Sequence, residues 1–252
     1  LHMKLSEPAT QRFRDKVYAY YHEHGRPFPW RDPRDPYEIL VSEVMLQQTQ
    51  ADRVAGYYLK FLARFPDVRS LARARLATVL KLWQGLGYNR RAKSLHEAAR
   101  QVVRECGGRV PTDPDALVKL PGVGPYTAAA IAAFAGNQPV VVIETNIRSV
   151  YIHEFFPDRE RVTDAELVPL IEQTIDLKQP SLWYQALMDY GVMLKRTGIN
   201  PSRRSAHYVR QSAFKGSNRE ARGAVLKALV AGPQPPNRLL KHLELERTRA
   251  EH

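Results

Sequence analysis

Apolar residues in this chain recur at helical spacing, in short segments closed off by Gly or Pro, and this punctuation limits the open folds most. Gln11–Glu23 carries Phe13, Val17, Tyr18, Tyr20 and Tyr21, which predicts a first helix. Pro29 and the stretch Asp32-Pro33-Arg34-Asp35-Pro36 then break helical structure. Pro36 suits the first turn of a helix over Tyr37–Thr49. Further helices are predicted over Ala51–Phe65, Arg75–Trp83, Arg90–Cys106, Pro125–Ala135, Thr145–Phe155, Asp164–Ile175 and Ser181–Lys195. One run, Pro139–Ile143, is strand-like; five residues between two helices read as a buried extended connector. The expected fold is therefore all-α.

With 252 residues the chain can build one large domain or two small ones. Its composition fits neither collagen, nor an extended coiled coil, nor wholesale disorder. No apolar run approaches the ~20 residues of a membrane span, and Leu1–Leu5 lacks the apolar stretch of a signal peptide, so a cytoplasmic protein without membrane contact is expected. The single cysteine, Cys106, excludes a disulfide framework and any cluster held by four thiolates. The eight His form no set at zinc-like spacing, so neither a metal nor a cofactor is expected.

Charge narrows the partners. Lys and Arg number 38 against 26 Asp and Glu, a net +12, and from Lys195 onward there are 13 against 4. Such a field attracts polyanions and releases counterions on meeting phosphates, although a solvated basic surface gives the same count. In this C-terminal part, Pro201-Ser202-Arg203-Arg204 reads as a linker or basic arm. A capped helix over Ser217–Ala231 and a second over Pro235–Glu246 follow. The pair reads either as the start of a winged-helix module or as packing terminal helices.

Three features carry candidate chemistry. Leu120-Pro121-Gly122-Val123-Gly124 precedes the helix opened by Pro125. Two glycines at this spacing permit a tight turn, after which the helix offers unpaired N–H groups to a phosphate. An ordinary joint between two helices would look the same; the basic charge favours the phosphate. Glu43 sits among Val41, Val44, Met45 and Leu46, and Glu144 follows Val140–Ile143 at the start of a helix. An apolar pocket pushes a carboxyl toward its protonated form, whereas a helix N-terminus favours the anion. That asymmetry provides the acid and the anionic stabiliser used to break glycosidic bonds. On burial pattern alone, a helix cap at Glu144 and an amphipathic-helix glutamate at Glu43 are the better explanation.

Trp30-Arg31, Ser42-Glu43-Val44-Met45-Leu46-Gln47-Gln48-Thr49-Gln50, Leu82–Tyr88, Leu120–Thr127 and Gln185–Asp189 together resemble the helix-hairpin-helix DNA glycosylase superfamily, and within it the catalytic domain of MutY-type adenine DNA glycosylases. The resemblance spans roughly residues 25 to 195. It implies a two-lobed helical fold with a cleft between the lobes. Residues 1–200 would form the catalytic domain, with a six-helix lobe at about 33–142. A second lobe would combine the N-terminal helix with 143–200, and 201–252 would be a basic helical extension. Glu43 would be the general acid, Glu144 would take the catalytic aspartate's place, and Asn146 would support it. Tyr126 falls where bifunctional relatives carry a Schiff-base lysine, and a phenol cannot form that imine, which implies a monofunctional hydrolase. Arg26, Trp30, Arg31, Leu46 and Asp189 would line the base pocket. Gln48, Thr49, Leu86, Tyr88, Gly122, Val123 and Gly124 would contact DNA, with Gln48 and Tyr88 wedged into the stack opposite the extruded base.

Three departures stand out. Glu replaces Asp at 144, moving the carboxylate one methylene outward. Lys195 stands where the first ligand cysteine of the family's iron–sulfur cluster is expected. The family's C-terminal domain that reads 8-oxoguanine is not expected in this chain, which puts a preference for that lesion in question. The expected activity is excision of a mispaired base from double-stranded DNA by a monomer, in the first place adenine opposite 8-oxoguanine or guanine, leaving an abasic site. A thymine or uracil mismatch glycosylase of the same fold is the nearest alternative, and a DNA-binding protein without catalysis is the second.

Overall fold

The computed structural model describes residues 3–32, 35–210, 217–237 and 239. Twelve α-helices and one 3-10 turn make up its regular structure among these residues: α1 (Glu7–His24), α2 (Pro36–Leu46), α3 (Ala51–Arg64), α4 (Val68–Arg73), α5 (Leu76–Trp83), α6 (Arg90–Glu105), α7 (Pro114–Leu117), α8 (Pro125–Phe134), α9 (Thr145–Phe155), α10 (Asp164–Thr174), α11 (Pro180–Arg196), the 3-10 turn Pro201–Arg204, and α12 (Asn218–Ala231). Extended pairing among them is limited to one parallel bridge, Val162 to Ser205. The expected all-α class is the class observed.

The helices start where the sequence supplies caps. Ser6 accepts from the Ala9 amide and Pro8 fills the first turn of α1. Asp67 and Ser70 form a capping box on α4, and Thr163 and Glu166 form another on α10. The run Pro139–Ile143 is a connector, pinned by Tyr184, whose hydroxyl donates to the Val140 carbonyl at 2.7 Å and accepts from the Val142 amide at 3.2 Å. A side chain thus satisfies backbone groups that a sheet would otherwise pair.

The chain divides into two compact units, and the division falls inside α2. The first holds the described residues through Glu43 together with Pro111–Lys119 and Val123–Val209. Its core is aromatic: the Phe13 ring meets Tyr151, Phe155 and Trp183 edge-on at 5.5, 5.0 and 5.6 Å. The second holds Val44–Val110, Leu120–Gly122 and α12. Phe61, Leu71, Trp83 and Leu95 are fully buried in it. Of the residues 33–142 expected to form one lobe, 35–43, 111–119 and 123–142 group by contacts with the first unit and the remainder with the second.

The segment Pro201–Arg204 is not a free arm. The Arg204 guanidinium donates to the carbonyls of Phe156 (2.6 Å), Pro157 (2.8 Å) and Arg159 (3.0 Å), and its backbone carbonyl accepts from Val162 (2.9 Å). Its charge, legible in the sequence, is turned inward to cap the chain after α9. The helix expected at Ser217–Ala231 forms, capped by Ser217. The one expected at Pro235–Glu246 lies largely outside the described residues.

Candidate active site

Asp35 starts α2, its carboxylate accepting from the amides of Tyr37 (2.7 Å) and Glu38 (3.3 Å). Ile39, Leu40, Val41, Val44 and Met45 bury the helix on most sides. Ser42 is accommodated there by donating to its own helix, to the Ile39 carbonyl at 2.9 Å. Glu43 is only 4% exposed. Burial pushes its carboxyl up to about 7, the nearby Glu144 charge pushes the same way, and a hydrogen bond from the Tyr126 hydroxyl (3.2 Å) opposes them.

Tyr126 is the second residue of α8, placed by the turn before it. Gly122 adopts φ +79°, and a Cβ there would lie 2.6 Å from that of Ser94. Glycine is thus required both for the backbone angle and for the space. Val123 is buried, and Gly124 caps α8. Burial raises the Tyr126 phenol well above its ordinary range, and the charges of Glu43 and Glu144 push the same way, so it stays protonated.

Glu144 is the N-cap of α9. Its Oε1 accepts from the amides of Asn146 (2.6 Å) and Ile147 (3.0 Å), and its Oε2 accepts from the Asn146 side-chain amide (3.2 Å). Burial still raises its carboxyl, against these N–H groups and the cations of Lys195 and Arg148. The cap and the candidate catalytic anion are one and the same group. Two glutamates about a hundred residues apart in sequence thus feel each other's charge within one unit, with Tyr126 coupled to both.

Of the residues expected to line a base pocket, Arg26, Arg31 and Asp189 are brought together. The Arg31 fork donates to both oxygens of Asp189 at 2.7 Å, Arg26 Nε donates to Oδ1 at 2.7 Å, and the Arg26 amide donates to Oδ2 at 2.9 Å. The Asp189 side chain is 1% exposed. Although burial opposes it, this double pairing holds the carboxyl below its usual range. Trp30 stacks on Phe28 at 4.8 Å. Leu46 ends α2 and groups with the second unit.

In the second unit, Gln48, Thr49, Leu86, Tyr88 and Gly122 line one groove of about 1480 Å3, with cations from Arg53, Arg90, Arg91, Arg219 and Arg222. Gln48 and Tyr88 have φ of +56° and +47°. Left-handed angles in long side chains are uncommon and persist where the surroundings enforce them. Arg91, absent from the sequence-based candidates, does much of that. It donates to the carbonyls of Val44 (2.9 Å), Met45 (2.8 Å), Gln47 and Gly87 (3.1 Å) and to the Thr49 hydroxyl (3.0 Å). Its signal was positional: Arg91 stands one turn before Leu95, in line with the buried Ala98 and Val102 of α6. Arg219 of α12 donates to the Tyr88 hydroxyl.

The residues present do not fit a four-cysteine iron–sulfur cluster. Cys106 is the only cysteine, and it is exposed. Lys195, expected from the resemblance to stand in the first ligand position, donates to Asn146 Oδ1 at 2.8 Å, and Arg204 occupies the chain beyond it with hydrogen bonds. Among the described residues no group of three or more His, Cys, Asp or Glu is disposed to hold a metal.

Residues 41–172 match the helix-hairpin-helix superfamily of base excision DNA repair proteins. The chain belongs to this superfamily. An adenine DNA glycosylase of Mycobacterium tuberculosis is 37% identical, the match covering 87% of this chain and 79% of that protein. Among solved structures, a thermostable thymine-DNA glycosylase superposes with a TM-score of 0.65 at 28% identity, over 73% of this chain and 86% of the other. An endonuclease III trapped as a covalent intermediate with DNA superposes at 0.61 and 19% identity, over 73% and 85%, a likeness of fold. The glycosylase is thus a helical DNA N-glycosylase of base excision repair, and DNA is its partner.

Proposed function

We propose that the glycosylase excises adenine mispaired in duplex DNA, acting as a monomer without a cofactor. Hydrolysis leaves an abasic site and no covalent adduct. The observation that carries this reading is a pair of buried carboxyls with different donors, one hydroxyl on Glu43 and three N–H groups on Glu144. Glu43, titrating at about 7, holds a proton at neutral pH for a large fraction of molecules. It gives that proton to the extruded base, which departs with the electrons of the N-glycosidic bond. Glu144 accepts three N–H donors, an arrangement fitted to a carboxylate beside a positively charging sugar. Water then adds at the sugar and its proton is lost. Tyr126 has no amine with which to trap the sugar, which supports hydrolysis over strand cleavage.

Adenine is supported by the name of the Mycobacterium tuberculosis relative and by Gln47-Gln48-Thr49 after the glutamate. The thymine-DNA glycosylase neighbour favours thymine opposite guanine as the second reading. The hairpin at Gly122–Gly124 and the groove around Gln48 and Tyr88 are proposed to grip a phosphate and to fill the gap in the stack. Single-turnover excision on duplexes carrying adenine opposite 8-oxoguanine, guanine or cytosine, and thymine or uracil opposite guanine, tests this. Fastest release of adenine opposite 8-oxoguanine or guanine is expected. Fastest release of thymine would transfer the site to the second reading, and no release from any duplex would leave a binding protein.

A further inference from the structure

We propose that Lys195 is a positioning residue for base excision, orienting the Asn146 amide so that its N–H, and not its oxygen, faces Glu144. This rests on the role given to Glu144 above. Lys195 lies in the last turn of α11, where a lysine ordinarily leans on free carbonyls. Here its Nζ crosses to α9 and donates to Asn146 Oδ1 at 2.8 Å. One helical turn earlier, Gly191 lies so close to the Asn146 backbone that a Cβ would sit 2.4 Å from its carbonyl oxygen. Helix α11 therefore meets Asn146 at two points four residues apart, and both fit this asparagine.

An asparagine amide can present either end to a neighbour, and the two ends have opposite consequences for a carboxylate. An ammonium has three donors and no acceptor, so it selects the oxygen. The Nδ2 end is then left for Glu144 Oε2, where it donates at 3.2 Å. With an apolar side chain at 195, a flip of the amide would set its oxygen against the carboxylate. Lys195 also adds a cation that opposes the effect of burial on Glu144. Burial lowers the Lys195 ammonium, and the Glu144 charge counters that. The lysine thus contacts the one side chain that donates its amide to the Glu144 carboxylate.

The test uses whichever duplex the wild-type protein cleaves fastest in the panel above. Lys195→Met is expected to slow single-turnover excision by about 10- to 100-fold, the scale of an ångström-level misplacement, with duplex Kd changed less than about threefold. Lys195→Arg, which keeps a donor-only cation, is expected to return to within about fivefold of wild type. In an Asn146→Ala background, Lys195→Met should cost less than a further twofold, because both act through one contact. Lys195→Leu replaces Lys195→Met if the latter lacks a cooperative thermal transition. A rate within twofold of wild type in either folded apolar variant, while Glu144→Gln is inactive, overturns the positioning role and leaves Glu144 intact. A Glu144→Gln variant as fast as wild type overturns the catalytic reading and this proposal with it.

Discussion

Gly191 on α11 and Asn146 on α9 touch backbone to backbone: a methyl group on Gly191 would stand 2.4 Å from the Asn146 carbonyl oxygen and 2.8 Å from its carbonyl carbon. Neither atom is the movable end of a side chain, so one helix must shift to admit a Cβ. Overpacking of this kind costs about 1–3 kcal/mol. Gly191→Ala is expected to lower Tm by several degrees, at about 2–4 °C per kcal/mol for a chain of this size. It should also slow excision, because the displaced residue supports Glu144. Calorimetry and single-turnover kinetics on one preparation check both.

The carboxyl of Glu43 gives a pH dependence with a definite sign. An acid titrating at about 7 holds its proton below that pH and loses it above, so base release should fall about tenfold per pH unit on the alkaline side. The Tyr126 hydroxyl favours the charged form, so Tyr126→Phe should move this limb to higher pH. A pH–rate profile on both proteins decides it, and an unshifted limb in Tyr126→Phe would break the link.

The same group carries a stability cost. Its folded value lies above the ordinary 4.5, so the stability it contributes is complete below that pH and is lost as pH rises through about 7. Glu43→Gln should therefore melt higher than wild type at pH 8, by a margin on the order of 1–3 kcal/mol, while losing base release. The gap should narrow as pH falls and close below about pH 4.5. Thermal melts across that range measure it.

Asp189 behaves in the opposite sense. Arg26 and Arg31 both pair with it, and removing its charge leaves two cations around an almost inaccessible amide. Asp189→Asn is expected to cost about 3–5 kcal/mol at neutral pH. Because the folded carboxyl titrates below its usual range, the stability it contributes is present above the unfolded carboxylate pKa. It is lost as pH falls through the folded one. The variant and wild-type melting curves should therefore converge in acid.

Much of this arrangement can be read from the residues alone, and the remainder has identifiable physical causes. Helix α9 has its predicted bounds, because Glu144 can cap it and the apolar run before it cannot join it. Helix α2 stops at Leu46, short of the predicted Thr49, since Gln48 turns left-handed and the Arg91 guanidinium takes the carbonyls of Val44 and Met45. Apolar spacing hid α4, because Phe65-Pro66 reads as a joint; the signal was the box of Asp67 and Ser70. Arg26, Arg31 and Asp189, expected to line a base pocket, form one ion-pair cluster whose charges satisfy one another, which no single-residue reading reveals.

The guanidinium of Arg204 gathers three carbonyls from the chain just past α9. That fastening is made by one side chain and three main-chain carbonyls of the same polypeptide. It awaits no inserted inorganic group, has no oxidation state to change, and offers a chelator nothing to extract. This corner of the molecule should therefore hold its shape equally well in iron-starved and in oxidant-stressed cells.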